Sequence, residues 1–294
     1  MIATVKRELL VRHLEAWAPA ALHRGRRVTY AHGFADADGG ESAEAAARVL
    51  VEQTDFVRGR ELSMLLVGEQ ADGVRERLVS VVGAAALTVL AVSGGTDARL
   101  AVALKAAGAH RVPLLGFLDA SASEPPAPAT VAALAVGKPA EFLLVLPPGT
   151  EVDPYREGWP LCASVELATG EEPGELLVFG TTSGKSLEGF KEALWAVDEF
   201  AGVRYRDPGD PDRHLIDISL SPHPGPLRRE LLAHLGRVGS ATVTELRTFA
   251  LTSTIYRAAD ATRVLHTLVD SGAVTRQPPN GRLGGDVVIG LGDN

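Results

Sequence analysis

From Arg27 onward the chain alternates short apolar runs with stretches of helical spacing, and this alternation constrains the fold more than any other feature. The runs "RVTYAHGFA", "LSMLLVGE", "ALTVLAV", "VPLLGFLD" and "EFLLVLPP" read as strands. The intervening "SAEAAARVLVEQT", "DGVRERLVSVV", "TDARLAVALKAAG" and "PATVAALAVG" read as helices. Near-continuous apolar strands of this kind are buried on both faces, and parallel neighbours need a helical crossover between them. The spacing therefore predicts an α/β, doubly wound, Rossmann-like parallel sheet.

Ahead of the sheet, Leu9, Leu10, Leu14 and Trp17 recur at near-helical spacing and predict an amphipathic helix ending before Pro19. After a less regular stretch around "DPYREGWPLCASVELATG", a strand "ELLVFG" and a helix "SLEGFKEALWAVDEF" follow. The segments "RDPGDPDRH" and "SPHPGP" break the pattern and place a domain boundary near them, giving domains 1–217 and 218–294. Beyond the boundary, "LRRELLAHLG", "TVTELRTFAL" and "AADATRVLHTLVDSG" read as three helices. Two short strands around a Pro, Asn and Gly turn close the chain, the outline of a winged helix-turn-helix domain.

Charge and cysteine content narrow the function classes. The formal net charge is −8, yet from His223 onward eight arginines face six acids, so the negative charge resides in the preceding part. Nucleic acid, if a partner, is expected at the C-terminal domain, through Arg257 and Arg263 on the third helix and Arg276 and Arg282 on the wing. A protein-interaction module is the competing reading of the same domain. The single Cys162 excludes an internal disulfide or a Cys-based metal centre within one chain, and no histidine spacing suggests a metal. A reducing compartment, no signal-peptide pattern and no membrane-spanning run together predict a cytoplasmic protein.

In open α/β sheets ligands lie beyond the carboxyl ends of the strands, where glycines after the first strand let the backbone approach a cofactor. Here that loop runs from His32 to Gly40. It keeps Gly33, Gly39 and Gly40 but carries Asp36 and Asp38 in its middle. Carboxylates there repel a phosphate, although they could meet the amine of a methionine-type cofactor; an acidic turn holding no ligand is the alternative. Glu69 ends the second strand, where a carboxylate can accept both hydroxyls of a ribose, or simply face solvent. Asp119 ends "LLGFLD", at the reach of a catalytic group, with helix capping as the competing role. "FGTTSGKSLEG" imitates a phosphate-binding loop, but GxxxxGK[ST] would put its first glycine at Phe179, and Gly180 is one residue too close.

Taken in order, "LLVRHLEAWAP", "YAHGFADADGGESAEAA", "FLDASAS" and "FKEALWAVDEF" resemble the three-Cys-motif partner family, TcmP. The resemblance spans nearly the whole chain. It implies a class I methyltransferase-type sheet, a C-terminal winged helix and an association with S-adenosylmethionine. Departures fall at the loop: the family's aspartate after the first strand is His32 here, its Gly-Pro-Gly is Asp36, Ala37 and Asp38, and its Pro-Phe-Gly after Asp119 is Ala120, Ser121 and Ala122. The resemblance thus implies a cofactor loop that has degraded, in a protein that binds a partner, a second copy of itself or nucleic acid. Two rivals remain: an active methyltransferase using Asp36 or Asp38 near the methionine, Glu69 on the ribose and Asp119 at the transfer centre, and a winged-helix regulator sensing a small molecule.

Overall fold

A computed structural model of the chain describes residues 1–56, 59–197, 202–210, 212–219 and 221–292. The end of the "FKEALWAVDEF" segment, from Asp198 on, lies outside them. Helix α1 (Ile2–Arg24) precedes β1 (Arg27–Gly33), α2 (Glu41–Glu52), β2 (Glu61–Gly68), α3 (Ala71–Val82), β3 (Leu87–Ser93), α4 (Thr96–Ala106) and β4 (Leu114–Asp119). There follow α5 (Pro128–Ala132) with a short 3-10 turn, β5 (Ala140–Leu146), β6 (Leu161–Ala168), β7 (Glu175–Thr181) and α6 (Gly184–Trp195). Strands β8 (Arg204–Arg206) and β9 (Ile216–Asp217) complete one sheet of order β3-β2-β1-β4-β5-β7-β6-β8-β9.

Strands β1 to β5 are parallel, while β7 runs antiparallel to β5 and the strands beyond it continue antiparallel. The sheet is thus large and mostly parallel, consistent with a methyltransferase-like Rossmann fold. The order in which successive strands are added reverses between the parallel neighbours β1 and β4, which makes their carboxyl ends the switch point where ligands bind in such sheets.

Two expectations needed correcting. Helix α1 runs through Pro19 instead of stopping before it. Pro19 lies on the exposed side, where water can meet the carbonyl it leaves unbonded, while Trp17, Ala18, Ala21 and Leu22 are buried and hold the following turn in place. The stretch read as irregular contains β6, whose Cys162, Ala163, Val165 and Leu167 are buried against both neighbours. An antiparallel strand following a 3-10 turn lacks the helix-strand alternation that betrayed the others.

The C-terminal part comprises α7 (Gly225–Val238), β10 (Ser240–Thr242), α8 (Val243–Ser253), α9 (Ala258–Asp270), β11 (Val274–Gln277) and β12 (Val288–Leu291), with the strands in a small antiparallel sheet of order β10-β12-β11. Thr242 and Glu245 form a reciprocal capping box that starts α8 directly after β10. One apolar core extends from α1 and α6 into α7, α8 and α9. The link is also polar: Trp195 Nε1 donates to the Ile255 carbonyl at 2.9 Å, and Lys191 Nζ donates to that of Thr254. Among the described residues no helix is long and apolar enough to cross a membrane.

Candidate functional site

The switch point brings the loop after β1 against the ends of β2 and β4. Gly33 is closely packed: a Cβ there would lie 2.2 Å from Leu118 Cδ2 and 2.8 Å from Thr96 Cγ2. Thr96 Oγ1 also accepts the Phe34 amide at 2.8 Å, pinning the turn in which Phe34 takes a positive φ of 53°. Gly68, at the end of β2, is covered in the same way, since its Cβ would meet Asp36 Oδ1 at 2.1 Å. These two glycines serve close packing by the chain's own side chains, the role glycine plays wherever a backbone must be approached directly.

The loop acids are engaged locally. Asp36 Oδ2 accepts the Gln70 amide at 3.1 Å, tying the loop to the end of β2. Asp38 accepts the amides of Gly40 and Ser42 at 3.1 and 2.9 Å and the Ser42 hydroxyl at 2.6 Å, so its carboxylate binds the first turn of α2. Burial opposes its charge, but the Ser42 hydrogen bonds together with the nearby His32 and Arg7 outweigh burial and hold the carboxyl below its ordinary range. From outside, Arg77 donates to the Gly39 carbonyl, and Arg7 pairs with Glu41.

His32 and Asp119 lie beside the same loop, and Asp119 turns to α1. His32 is buried, its Nδ1 lies 2.9 Å from the Tyr30 hydroxyl and its ring meets Phe117 edge-on. Burial pushes its pKa down to about 4, so the imidazole is neutral at physiological pH. Asp119 accepts the amide and hydroxyl of Ser121 and lies 2.8 Å from Lys6 Nζ, which also reaches Glu175 at 2.8 Å. Burial of Lys6 works against its charge, yet the two carboxylates more than compensate and its pKa is raised. Glu69 differs from all of these: it is exposed, and it makes no hydrogen bond or ion pair among the described residues.

The structure therefore brings Gly33, Asp36 and Glu69 to one rim and Asp119 against α1, with Asp38 and His32 between them: Asp38 also reaches Arg7 of α1 at 3.7 Å, and both Asp38 and Asp119 act on the His32 ring. Lys6 and its link to Asp119 went unread in the sequence, though a signal existed: Lys6 occupies a position on the apolar stripe of α1, and so does His13. A polar residue on such a stripe needs a buried partner. Cys162 is buried and its thiol is pushed up to about 11 by burial, which leaves it a poor nucleophile.

The four arginines expected at nucleic acid also separate. Arg257 does not lie on the third helix; it is the N-cap of α9, buried, and grips Asp260 through two bonds of 2.8 and 3.0 Å while reaching Glu192 of α6. Arg276 folds back onto the carbonyls of Pro278 and Gly281 and organises its own turn. Arg263 is exposed and touches Asp260 at 3.4 Å, and Arg282 is exposed.

No protein-family model matches the chain, and no curated protein matches it in sequence. Among solved structures, one of a "putative Methyltransferase" from Pseudomonas syringae is 15% identical, with a TM-score of 0.29, over 58% of this chain and 97% of that one.

Proposed function

We propose that this is a methyltransferase-fold protein of the three-Cys-motif partner type whose cofactor loop has closed on itself, and that it works by binding a protein partner through its C-terminal helices. The observation that carries the reading is the state of the loop after β1. Leu118 and Thr96 fill the face of Gly33, Asp36 fills that of Gly68, and Asp38 spends its carboxylate on α2. S-adenosylmethionine does not fit these residues as they stand, because its closest approach to the backbone is taken by side chains, and Asp119 is committed to Lys6.

Titration calorimetry with S-adenosylmethionine and S-adenosylhomocysteine tests the reading, with no binding expected up to millimolar ligand. Micromolar binding would overturn it. One observation favours the rival, an active methyltransferase: Glu69 stands exposed and unengaged at the end of β2, where a ribose-binding acid belongs. On that reading Glu69→Ala weakens the cofactor about tenfold or more, the size of a lost charged hydrogen bond pair; unchanged affinity removes the assignment.

We read the three helices and antiparallel hairpin of the C-terminal part as a winged helix and 218–294 as its extent. The engagement of Arg257 and Arg276 within the protein favours a protein partner over nucleic acid, since of the four arginines Arg263 and Arg282 alone point outward as exposed cations. Duplex DNA titrated at two salt concentrations should show no binding or a log–log slope no steeper than about −2, the value for two phosphate contacts. A slope of about −5 or steeper, lost on truncation after Asp217, would make nucleic acid the partner.

A further inference from the structure

At the opposite, amino end of the sheet lies a cavity of about 170 Å³ between the C-terminal half of α1, the start of β5 and the first turns of α6. Its polar groups are arranged for a negative charge. Arg24 and Lys185 line it, both exposed and both without a hydrogen bond or ion pair among the described residues. Helix α6, twelve residues long, begins there; Ser183 caps the Ser186 amide and leaves the earlier first-turn donors open.

A second observation is independent of the helix end. Trp17 lines the cavity at 5% exposure, and its indole N–H is buried without an acceptor. A buried donor of this kind normally finds a partner. Glu141, the acid in the wall, is already answered: its two oxygens meet His13 Nε2 at 3.0 Å and the Ser186 hydroxyl at 2.6 Å. The rest of the wall is apolar, from Ala20, Ala21 and Pro139. In volume it is close to a cavity of about 150 Å³ known to hold benzene.

We propose that this cavity binds a small organic anion, with a benzene-sized apolar body against Trp17 and Pro139 and a carboxylate or phosphate head held by Arg24, Lys185 and the start of α6. The Trp17 N–H donates to the ligand. The site lies at the far end of the strands from the loop after β1, so its fate and that of the cofactor reading are separate. It also gives the "SGKS" segment a role as the lip of an anion site rather than a nucleotide loop.

Saturation-transfer NMR and calorimetry on the full chain, with benzoate, phenyl phosphate and neutral benzamide as probes, test it. The expected result is millimolar or tighter binding of at least one anion and about tenfold weaker binding of benzamide; whichever anion binds better identifies the head group. Replacing both exposed cations, Arg24→Ala with Lys185→Ala, should weaken that anion about tenfold, and Trp17→Phe, which keeps a ring and loses the N–H, about three- to tenfold. Equal binding of benzamide, unchanged affinity in the double variant, or no anion bound at about 10 mM would overturn the proposal. Both cations are exposed, so the double variant is expected to keep the wild-type melting curve.

Discussion

Replacing Lys6 by Met should cost the fold about 3 kcal/mol, read as a shift in the urea midpoint at neutral pH. Lys6 and Asp119 have side chains 8% and 9% exposed, and Glu175 closes the cluster at 24%. Removing the cation strands two neighbouring carboxylates with their desolvation unanswered, and breaking a buried ion pair from one side costs about 3–5 kcal/mol. The lower end applies because Glu175 keeps some contact with water. Adding Asp119→Ala to Lys6→Met should recover more than half of the loss, since deleting both partners removes the uncompensated charge along with the bond. Additive losses would instead mean that Asp119 and Lys6 act separately, and would reopen Asp119 for a role at the switch point.

The second large effect has the opposite sign. Lys191 on α6 is buried, and burial pulls its pKa down to about 7 even though Asp207 and Glu230 favour its charge. Above the unfolded value of 10.5 both states are neutral and nothing is lost. As pH falls, the unfolded chain takes the proton first, so native stability declines until the folded lysine protonates near pH 7. That depression corresponds to roughly 4–5 kcal/mol. Lys191→Met removes it but leaves the Thr254 carbonyl unpaired, at a cost of about 1–2 kcal/mol. The variant should therefore be about 3 kcal/mol more stable than the wild type at pH 7, with the advantage shrinking by about 2–3 kcal/mol toward pH 9.5. Urea melts at the two pH values decide it; a difference that does not change with pH would refute the account. The interval above pH 7 avoids the Glu230 carboxyl, which, pushed up to about 7 by burial, contributes its own loss of stability as pH rises from 4.5 to 7; the buried Cys162 thiol, which loses stability above pH 9, is common to wild type and variant and leaves their difference to Lys191.

Both effects come from charges on helix faces that read as apolar. The stripe of α1 was legible from Leu9, Leu10, Leu14 and Trp17, but the partners of Lys6 and His13, namely Asp119, Glu175 and Glu141, are more than a hundred positions away. Spacing along one helix reveals that a polar residue is buried and is silent about what answers it. The arginines show the same limit. Arg257 reads as a cation beside a recognition helix, and its capture by Asp260 is local, at three residues' separation; its reach to Glu192 depends on α6 packing against the C-terminal helices.

The alternation of strands and helices from Arg27 to Leu146, the three C-terminal helices and the acids in the loop after β1 were all determined by the sequence itself. Backbone hydrogen bonding and hydrophobic periodicity act over a few residues, and a linear pattern records them. The insertion of an antiparallel β7 between β5 and β6, the continuation of α1 through Pro19, the filling of Gly33 and Gly68 by Leu118, Thr96 and Asp36, and the cavity below α6 were decided by tertiary structure. Each depends on which surfaces meet. Close packing and the pairing of buried charge are settled between segments distant in the chain, where no local spacing carries the information.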